Sequence, residues 1–358
     1  MKFSQPNITT AEIDAVTKAL VDGHLATGTL VRRFEQKFTE MFGYQHVVAV
    51  NSGTTALTLA LMALGVGRGD EVIVTAYSIM ATANAILAVG ARPVFCDVER
   101  STYNLDAALL PALITERTKA ILPASIFGVP CDVSAIRTRA PGIPIVEDSI
   151  EALGAKRAEL FVGQDADIAT FGFYPNKQIT TCFGGVLFSS NSVLMDRARV
   201  LRTLGYGPNG DLWNQGFGGN FQLADPLAAM GIVQLDRFWG MQSRLSEVAA
   251  LLDGYFGSYR KQKAKPGHTP THFIYGIELP EGTDKRRFCD DMASSGIPVR
   301  PYFNAMHRVA HVAEFYRPCP VADELGGKTV ALPFHWDIDV RDAEQIRAAF
   351  FQVTGPRS

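Results

Sequence analysis

Ile143-Pro-Ile-Val-Glu-Asp148-Ser-Ile-Glu151-Ala-Leu-Gly154 is followed by Phe171-Gly-Phe-Tyr-Pro-Asn-Lys177 and then by Thr180-Thr-Cys-Phe-Gly-Gly185. The first stretch is an apolar run that ends on an acid and turns toward a helix. The second reads as a strand running into a loop that carries a lysine, and the third as the lead into a further strand. In an open α/β sheet, ligands sit in the crevice beyond the carboxyl ends of the strands, so Asp148 and Lys177 are placed to reach one crevice. The interval between them has room for one intervening element and a return strand.

The same reading extends along the first two-thirds of the chain. Short β-branched runs at His46–Val50, Glu71–Thr75, Arg92–Asp97, Ala120–Ala124, Ile143–Asp148, Ile168–Phe173 and Gly185–Ser189 alternate with helical stretches. That alternation predicts a mostly parallel, seven-stranded sheet covered on both faces. The helix Thr54–Leu64 is apolar nearly all round and therefore buried, Ala81–Val89 stops at Gly90 as a C-terminal cap, and Asn191–Thr203 reads as a charged surface helix. From Leu201 to Gln222 the pattern breaks into a Gly- and Asn-rich stretch, and loops of that length are usually functional or disordered. A long helix from Asp225 to Tyr255 then leads into a strand at His272–Leu279, a helix at Lys285–Ser294 and a last helix at Asp342–Val353. The expected organisation is a large α/β domain over residues 1–236 and a smaller C-terminal α/β domain over 237–358.

Composition bounds the function without naming it. The chain has 358 residues, 47% of them hydrophobic, which supports a substantial core. A formal charge of −2 gives no electrostatic reason to expect nucleic acid or an anionic membrane as partner. The N-terminal Met1-Lys-Phe-Ser-Gln-Pro lacks the apolar stretch of a signal peptide, and no run is long enough to span a bilayer, so a cytoplasmic location is expected. The five cysteines, Cys96, Cys131, Cys182, Cys289 and Cys319, lack C-x-x-C spacing. They are expected to be reduced, mostly buried thiols, with no zinc site.

Three segments carry chemistry. A lysine and an acid facing each other across a pocket are what pyridoxal phosphate requires: the amine forms a Schiff base with its aldehyde, and the acid keeps the pyridine nitrogen protonated. Lys177 and Asp148 are the candidates, although an isolated acid at a strand end also fits a helix N-cap, and Asp-x-x-Glu to Glu151 fits a capping pattern. Asn51-Ser-Gly-Thr-Thr-Ala-Leu57 lies where a strand gives way to a buried helix. Its free N–H groups, the close approach allowed by Gly53 and the hydroxyls of Thr54 and Thr55 suit a phosphate, and equally suit a plain cap. Gly65-Val-Gly-Arg-Gly69 resembles a dinucleotide fingerprint only superficially, since it precedes a strand.

In order and context these segments resemble the sugar aminotransferases of the DegT/DnrJ/EryC1/StrS family, which have the type I pyridoxal-phosphate aminotransferase fold. The resemblance covers nearly the whole chain. It runs from Thr27-Gly28 and Phe34-Glu35 through Ser52–Leu57, Ala81-Thr-Ala-Asn84, Gly90–Val94, Glu147-Asp148, Glu151–Gly154, Phe173–Lys177 and Gly184-Gly185 to Asn220, Ala228-Ala229 and Arg300-Pro-Tyr-Phe303 with His307.

The resemblance implies an amino-group transfer, from glutamate as expected donor, to a keto group of a nucleotide-linked deoxysugar. Lys177 would anchor the cofactor and shuttle a proton, and Asp148 would pair with the pyridinium nitrogen. Glu151 matches a position, often Gln or His in relatives, beside the cofactor's 3-hydroxyl. Gly53, Thr54 and Thr55 would hold the phosphate and Ile79 would cover the ring. Asn220 would reach the phosphate from the neighbouring subunit, which implies a homodimer with shared active sites. Arg300, Tyr302 and His307 fall in a segment that borders the sugar-nucleotide pocket in relatives, and a lone histidine is as often structural. The chain departs from the family pattern at Gly172 (commonly a hydroxyl residue), Ile79 (commonly aromatic), Phe183 (commonly Glu) and Gln222 (commonly Arg). Those departures keep two alternatives open: a pyridoxal-phosphate enzyme for another ketone, such as an aminocyclitol precursor, and a non-catalytic sensor on the same fold.

Overall fold

The computed structural model describes residues 1–207 and 216–355; the part of the Gly- and Asn-rich stretch from 208 to 215 lies outside the described residues. In chain order the first elements are α1 (Thr10–Val21), α2 (Thr29–Phe42), β1 (Val48–Val50), α3 (Gly53–Ala63), β2 (Glu71–Thr75), α4 (Met80–Ala88) and β3 (Arg92–Cys96). Next come β4 (Thr118–Leu122), α5 (Val133–Arg139), β5 (Val146–Asp148), the hairpin β6 (Lys156–Arg157) and β7 (Leu160–Phe161), β8 (Ile168–Gly172), β9 (Gly185–Phe188) and α6 (Ser192–Arg202). Helix α7 (Asp225–Phe256) precedes β10 (His268–Thr269), β11 (Tyr275–Glu278), α8 (Lys285–Ser294), β12 (Arg300–Pro301), α9 (Pro320–Lys328), β13 (Thr329–Leu332) and α10 (Val340–Thr354).

Strands β1-β9-β8-β5 form one ladder and β3-β2-β4 another. Parallel bridges Ile121↔Ile145 and Ala124↔Asp148 join the two between β4 and β5. The result is one sheet of seven strands in the order β1-β9-β8-β5-β4-β2-β3. Only β9 runs antiparallel to its neighbours within it. This is the mostly parallel sheet expected from the sequence. Because side chains alternate across a strand, each strand feeds two cores. Val48, Val50, Val72, Val74, Leu122 and Leu187 join α3, α4 and α6 on one face. Ala49, Ile73, Ile121, Phe171, Val186 and Phe188 join α2, α5 and the first half of α7 on the other.

Helix α2 is held by an aromatic stack: Phe38 lies 5.2 Å from Phe34 and 5.8 Å from Phe173, ring centre to ring centre. Its N-terminus is capped from far along the chain, since the Asp225 carboxylate accepts from the N–H groups of Gly28 at 2.8 Å and Val31 at 2.9 Å. Helix α4 ends as expected, with Gly90 at φ +80° and its N–H donating to Leu87.

Helix α7 is 32 residues long, and its core changes along its length. Ala228, Leu235, Phe238 and Met241 pack with the large sheet, whereas Val248, Leu252 and Phe256 pack with β11, β13, α8 and α10. The antiparallel sheet β11-β13-β12 carries that second core. Residues Phe303, Met306, Val312 and Leu325 pack instead on the first core. Arg100 braces the region, donating two hydrogen bonds to Glu278 at 2.7 and 2.6 Å. No helix among the described residues is long and apolar enough to cross a membrane.

Candidate active site

The site assembles at the carboxyl ends of β1, β5 and β8. After β1, Ser52 caps α3, its hydroxyl accepting from the Thr55 N–H at 3.0 Å, and Thr55 donates to the Asn51 side chain at 2.7 Å. The Thr54 side chain is exposed at the helix tip. Three glycines crowd this tip. A Cβ on Gly53 would lie 2.8 Å from Ile150 and 3.2 Å from the Gly172 Cα, and one on Gly185 would lie 2.6 Å from the Ser52 carbonyl oxygen. The tip is therefore a helix N-terminus approached by bare backbone, which suits an anion. A Cβ on Gly172 would lie 3.2 Å from Ile150 and 3.3 Å from the Gly53 Cα, a tight fit.

At the end of β5, Asp148 is buried. Its carboxylate accepts from the Thr82 hydroxyl of α4 at 2.8 Å and from the Ile150 N–H at 3.2 Å. Burial raises its pKa to about 6, against the pull of those two hydrogen bonds; Glu151 adds to the rise and Lys177 opposes it. Directly before it, Glu147 anchors the strand from below. Its carboxylate accepts from Arg157 at 2.9 and 2.8 Å, from the Ser125 hydroxyl at 2.8 Å and from the Gly163 N–H at 2.9 Å. Burial alone would raise the Glu147 carboxyl, yet Arg157 and Ser125 hold it below the ordinary range.

Glu151 turns back toward the same crevice and meets Lys177, with Nζ 3.4 Å from Oε1. Its other oxygen accepts from the Phe127 N–H at 2.9 Å. Phe127 has φ +55°, a left-handed conformation uncommon for a non-glycine residue, which aims that N–H at the carboxylate. The Lys177 ammonium also lies over the Phe273 ring, 4.1 Å from its centre. Thr82, Phe127 and Phe273 are the site residues that sequence reasoning missed. Thr82 lay within a recognised motif, but its bond to Asp148 spans 66 positions, and nothing local marks Phe127 or Phe273.

The remaining candidates fall around this group unevenly. Ile79 is 47% exposed at the start of α4, three residues from Thr82. Tyr77 is buried with its hydroxyl donating to the Tyr302 carbonyl at 2.6 Å, so it is not available to cover a ring. Tyr302 packs edge-on to Phe127 at 5.9 Å, and burial, with Glu151 adding, pushes its hydroxyl up to about 12. Arg300 is exposed and lies over Phe3. His307 is not brought to the group: it is buried against Phe95 and Tyr316, with Nε2 3.2 Å from Asp323, and burial lowers its pKa. Asn220 is exposed, and the segment it belongs to pairs beside β1 through Val50↔Gln222, next to the α3 tip. Phe183 and Tyr174 form an exposed edge-on ring pair at 5.5 Å. Among the described residues, no group of His, Cys, Asp and Glu is arranged to hold a metal ion.

Residues 6–351 match the model of the DegT/DnrJ/EryC1/StrS aminotransferase family. The chain belongs to this family. It is 36% identical to the GDP-perosamine synthase of Caulobacter vibrioides over 346 residues, covering 92% of this chain and 91% of that protein. It is 32% identical to the GDP-perosamine synthase of Escherichia coli O157:H7, covering 92% of each. Among solved structures, the Streptococcus pneumoniae protein Spr1654, described as a sugar aminotransferase, superposes in its PMP form with a TM-score of 0.92 at 26% identity, covering 99% of both chains. Its PLP form superposes with a TM-score of 0.93. The fold is thus the type I aminotransferase fold, and the chain is a pyridoxal-phosphate-dependent transaminase. The crevice fits that cofactor: it offers a primary amine, a buried acid held by two donors, and a helix tip with backbone exposed to an anion.

Proposed function

We propose that this transaminase aminates a keto group of a nucleotide-linked deoxysugar, with GDP as the nucleotide and glutamate as the amino donor. The observation that carries the reading is the convergence of Lys177, Asp148 and the α3 tip in one crevice. The two GDP-perosamine synthases, similar over more than nine-tenths of the chain, supply the substrate class.

Bound pyridoxal phosphate supplies an aldehyde that takes an amine and a ring that accepts electrons. The chain's residues do the rest. The backbone N–H groups at the α3 tip, with Gly53, Thr54 and Thr55, bind the phosphate against the positive end of the helix. Asp148 would hold a proton on the ring nitrogen; its burial makes a cationic partner favourable, since two hydrogen bonds only partly offset the cost of an ionised carboxylate there. Glu151, oriented by the Phe127 N–H, would face the cofactor's 3-hydroxyl. Lys177 would anchor the cofactor and, when free, its amine would carry a proton at Nζ to and from the reacting carbons. Ile79 would cover the ring with an aliphatic surface.

We assign the exposed Asn220 to the phosphate of a second subunit, which makes the active unit a homodimer. The exposed, touching rings of Tyr174 and Phe183 support such a partner. We place the division between a large domain, 1–236, and a small one, 237–358, within α7. We assign Tyr302 and Arg300 to the sugar-nucleotide side of the crevice and give His307 a structural role, since it is buried against Phe95 and Tyr316 beside Asp323. The test incubates purified protein, loaded with pyridoxal phosphate, with glutamate and a GDP-linked keto-deoxysugar, and follows the sugar nucleotide by mass spectrometry. Exchange of the keto oxygen for an amino group is expected. Conversion of glutamate to its keto acid with the sugar nucleotide left unchanged would overturn the acceptor assignment.

A further inference from the structure

One turn carries both walls around the Lys177 ammonium. The Phe127 N–H fixes Glu151, whose Oε1 is 3.4 Å from Nζ. The next residue, Gly128, accepts from the Thr271 N–H at 3.1 Å, and a Cβ there would lie 2.0 Å from the Thr271 carbonyl oxygen, so the two segments are locked at backbone contact. Gly128 has φ +91°, which that turn requires. Two residues on from Thr271 is Phe273, 6% exposed, whose ring takes the ammonium 4.1 Å from its centre. Gln178, the neighbour of Lys177, donates to the Thr271 hydroxyl at 2.8 Å, and the His272 N–H donates to Gln242 at 3.1 Å. The two residues before Phe273 are thus tied to the lysine's loop and to α7, and the segment that leads from α7 into β11 forms part of the lysine's environment.

We propose that Glu151 and Phe273 form a holding cage for the Lys177 ammonium whenever it is not bonded to the cofactor, with Phe273 as a positioning residue. This rests on the assignment of Lys177 as the anchoring amine. Transamination alternates between a cofactor aldehyde, which the lysine engages, and a cofactor amine, which leaves the lysine free. When the aldehyde form loads, the Lys177 ammonium would give up one proton to solvent and its free amine would condense with the aldehyde, forming a carbon–nitrogen double bond and releasing water, so that the cage is vacated. Pyridoxamine phosphate has no aldehyde, so the ammonium stays caged. A face-on aromatic ring attracts an ammonium, more strongly where water is excluded. The cage therefore favours the amine form over the aldehyde form and keeps the free lysine beside the crevice for the proton transfer.

The test strips the full-length protein of cofactor and measures Kd separately for pyridoxal phosphate and pyridoxamine phosphate. Phe273→Leu removes the aromatic face while keeping an apolar side chain. The ratio of the pyridoxamine Kd to the pyridoxal Kd is expected to rise about 3- to 10-fold, chiefly through tighter pyridoxal phosphate binding, while Phe273→Tyr keeps the wild-type ratio. A trifluorinated phenylalanine at position 273 preserves the ring's shape and weakens its face, so it should shift the ratio in the same direction without disturbing packing. Parallel weakening of both forms in Phe273→Leu together with an unchanged ratio in the fluorinated protein overturns the cage. Wild-type protein that binds neither form overturns the cofactor assignment beneath it.

Discussion

Asp148 offers a prediction in which burial, charge and pH meet. In the cofactor-free protein its carboxyl is raised from 3.8 to about 6, first by burial, then by the neighbouring Glu151. The folded chain therefore binds this proton more tightly than the unfolded chain does. The sign follows from linkage: the stabilisation is fully present below pH 3.8 and is lost as pH rises through about 6. A gap of this size corresponds to about 3 kcal/mol between the acid and neutral limits. Asp148→Asn keeps the shape and removes the titration. Urea unfolding of both cofactor-free proteins across this pH window should show wild-type stability, relative to the Asn variant, falling by about 2–3 kcal/mol. Loading pyridoxal phosphate should reverse much of that fall in the wild type, because a protonated ring nitrogen gives the carboxylate its counter-charge. A wild-type-minus-variant difference that stays flat with pH, or grows as pH rises, would refute the reasoning.

Three further perturbations probe the frame around the site. Gly185→Ala sets a Cβ 2.6 Å from the Ser52 carbonyl oxygen and 2.8 Å from the Gly53 nitrogen, both backbone atoms, so β9 or the α3 tip must move. Absorbance titration should show cofactor affinity falling by about tenfold or more, with about 1–3 kcal/mol lost in urea unfolding. Glu147→Gln removes the charge of one of Arg157's two carboxylate partners while Asp165 still pairs with it, and should cost about 1–3 kcal/mol by the same measurement. Phe38→Ala empties the centre of the aromatic stack under α2 and should cost about 3–5 kcal/mol, read as a lowered urea midpoint with unchanged slope.

The strands were legible because each is a short apolar run closed by a turn, and the observed strands fall within three residues of the expected ones. Two differences have local causes. Pro144 lacks an N–H, so β5 begins at Val146 rather than Ile143, and His46 has φ +46°, which delays β1 to Val48. Helix α2 was readable in principle from Val31, Phe34, Phe38 and Phe42, which recur at helical spacing, although the expectation there rested on motif residues alone. Helix α9 and strand β13 were not assigned from sequence; Gly326 and Gly327 near the end of α9 obscure its pattern. Long-range partners lie beyond local pattern altogether. Asp225 caps a helix 197 positions upstream, and Phe273 reaches Lys177 only because the Phe127-Gly128 turn grips Thr271. Lys177, Asp148 and Glu151 were found from strand ends and motif order, whereas the residues that hold them in place came into view with the fold.

Reduction of the pyridoxal-phosphate-loaded protein with borohydride, followed by peptide mapping, tests the central assignment most directly. Reduction fixes the cofactor to the amine that holds it. The account predicts that the added cofactor mass lies on the peptide containing Lys177 and that Lys177→Ala carries none. Cofactor fixed to another lysine, or absent from a wild-type protein saturated with it, would contradict the account.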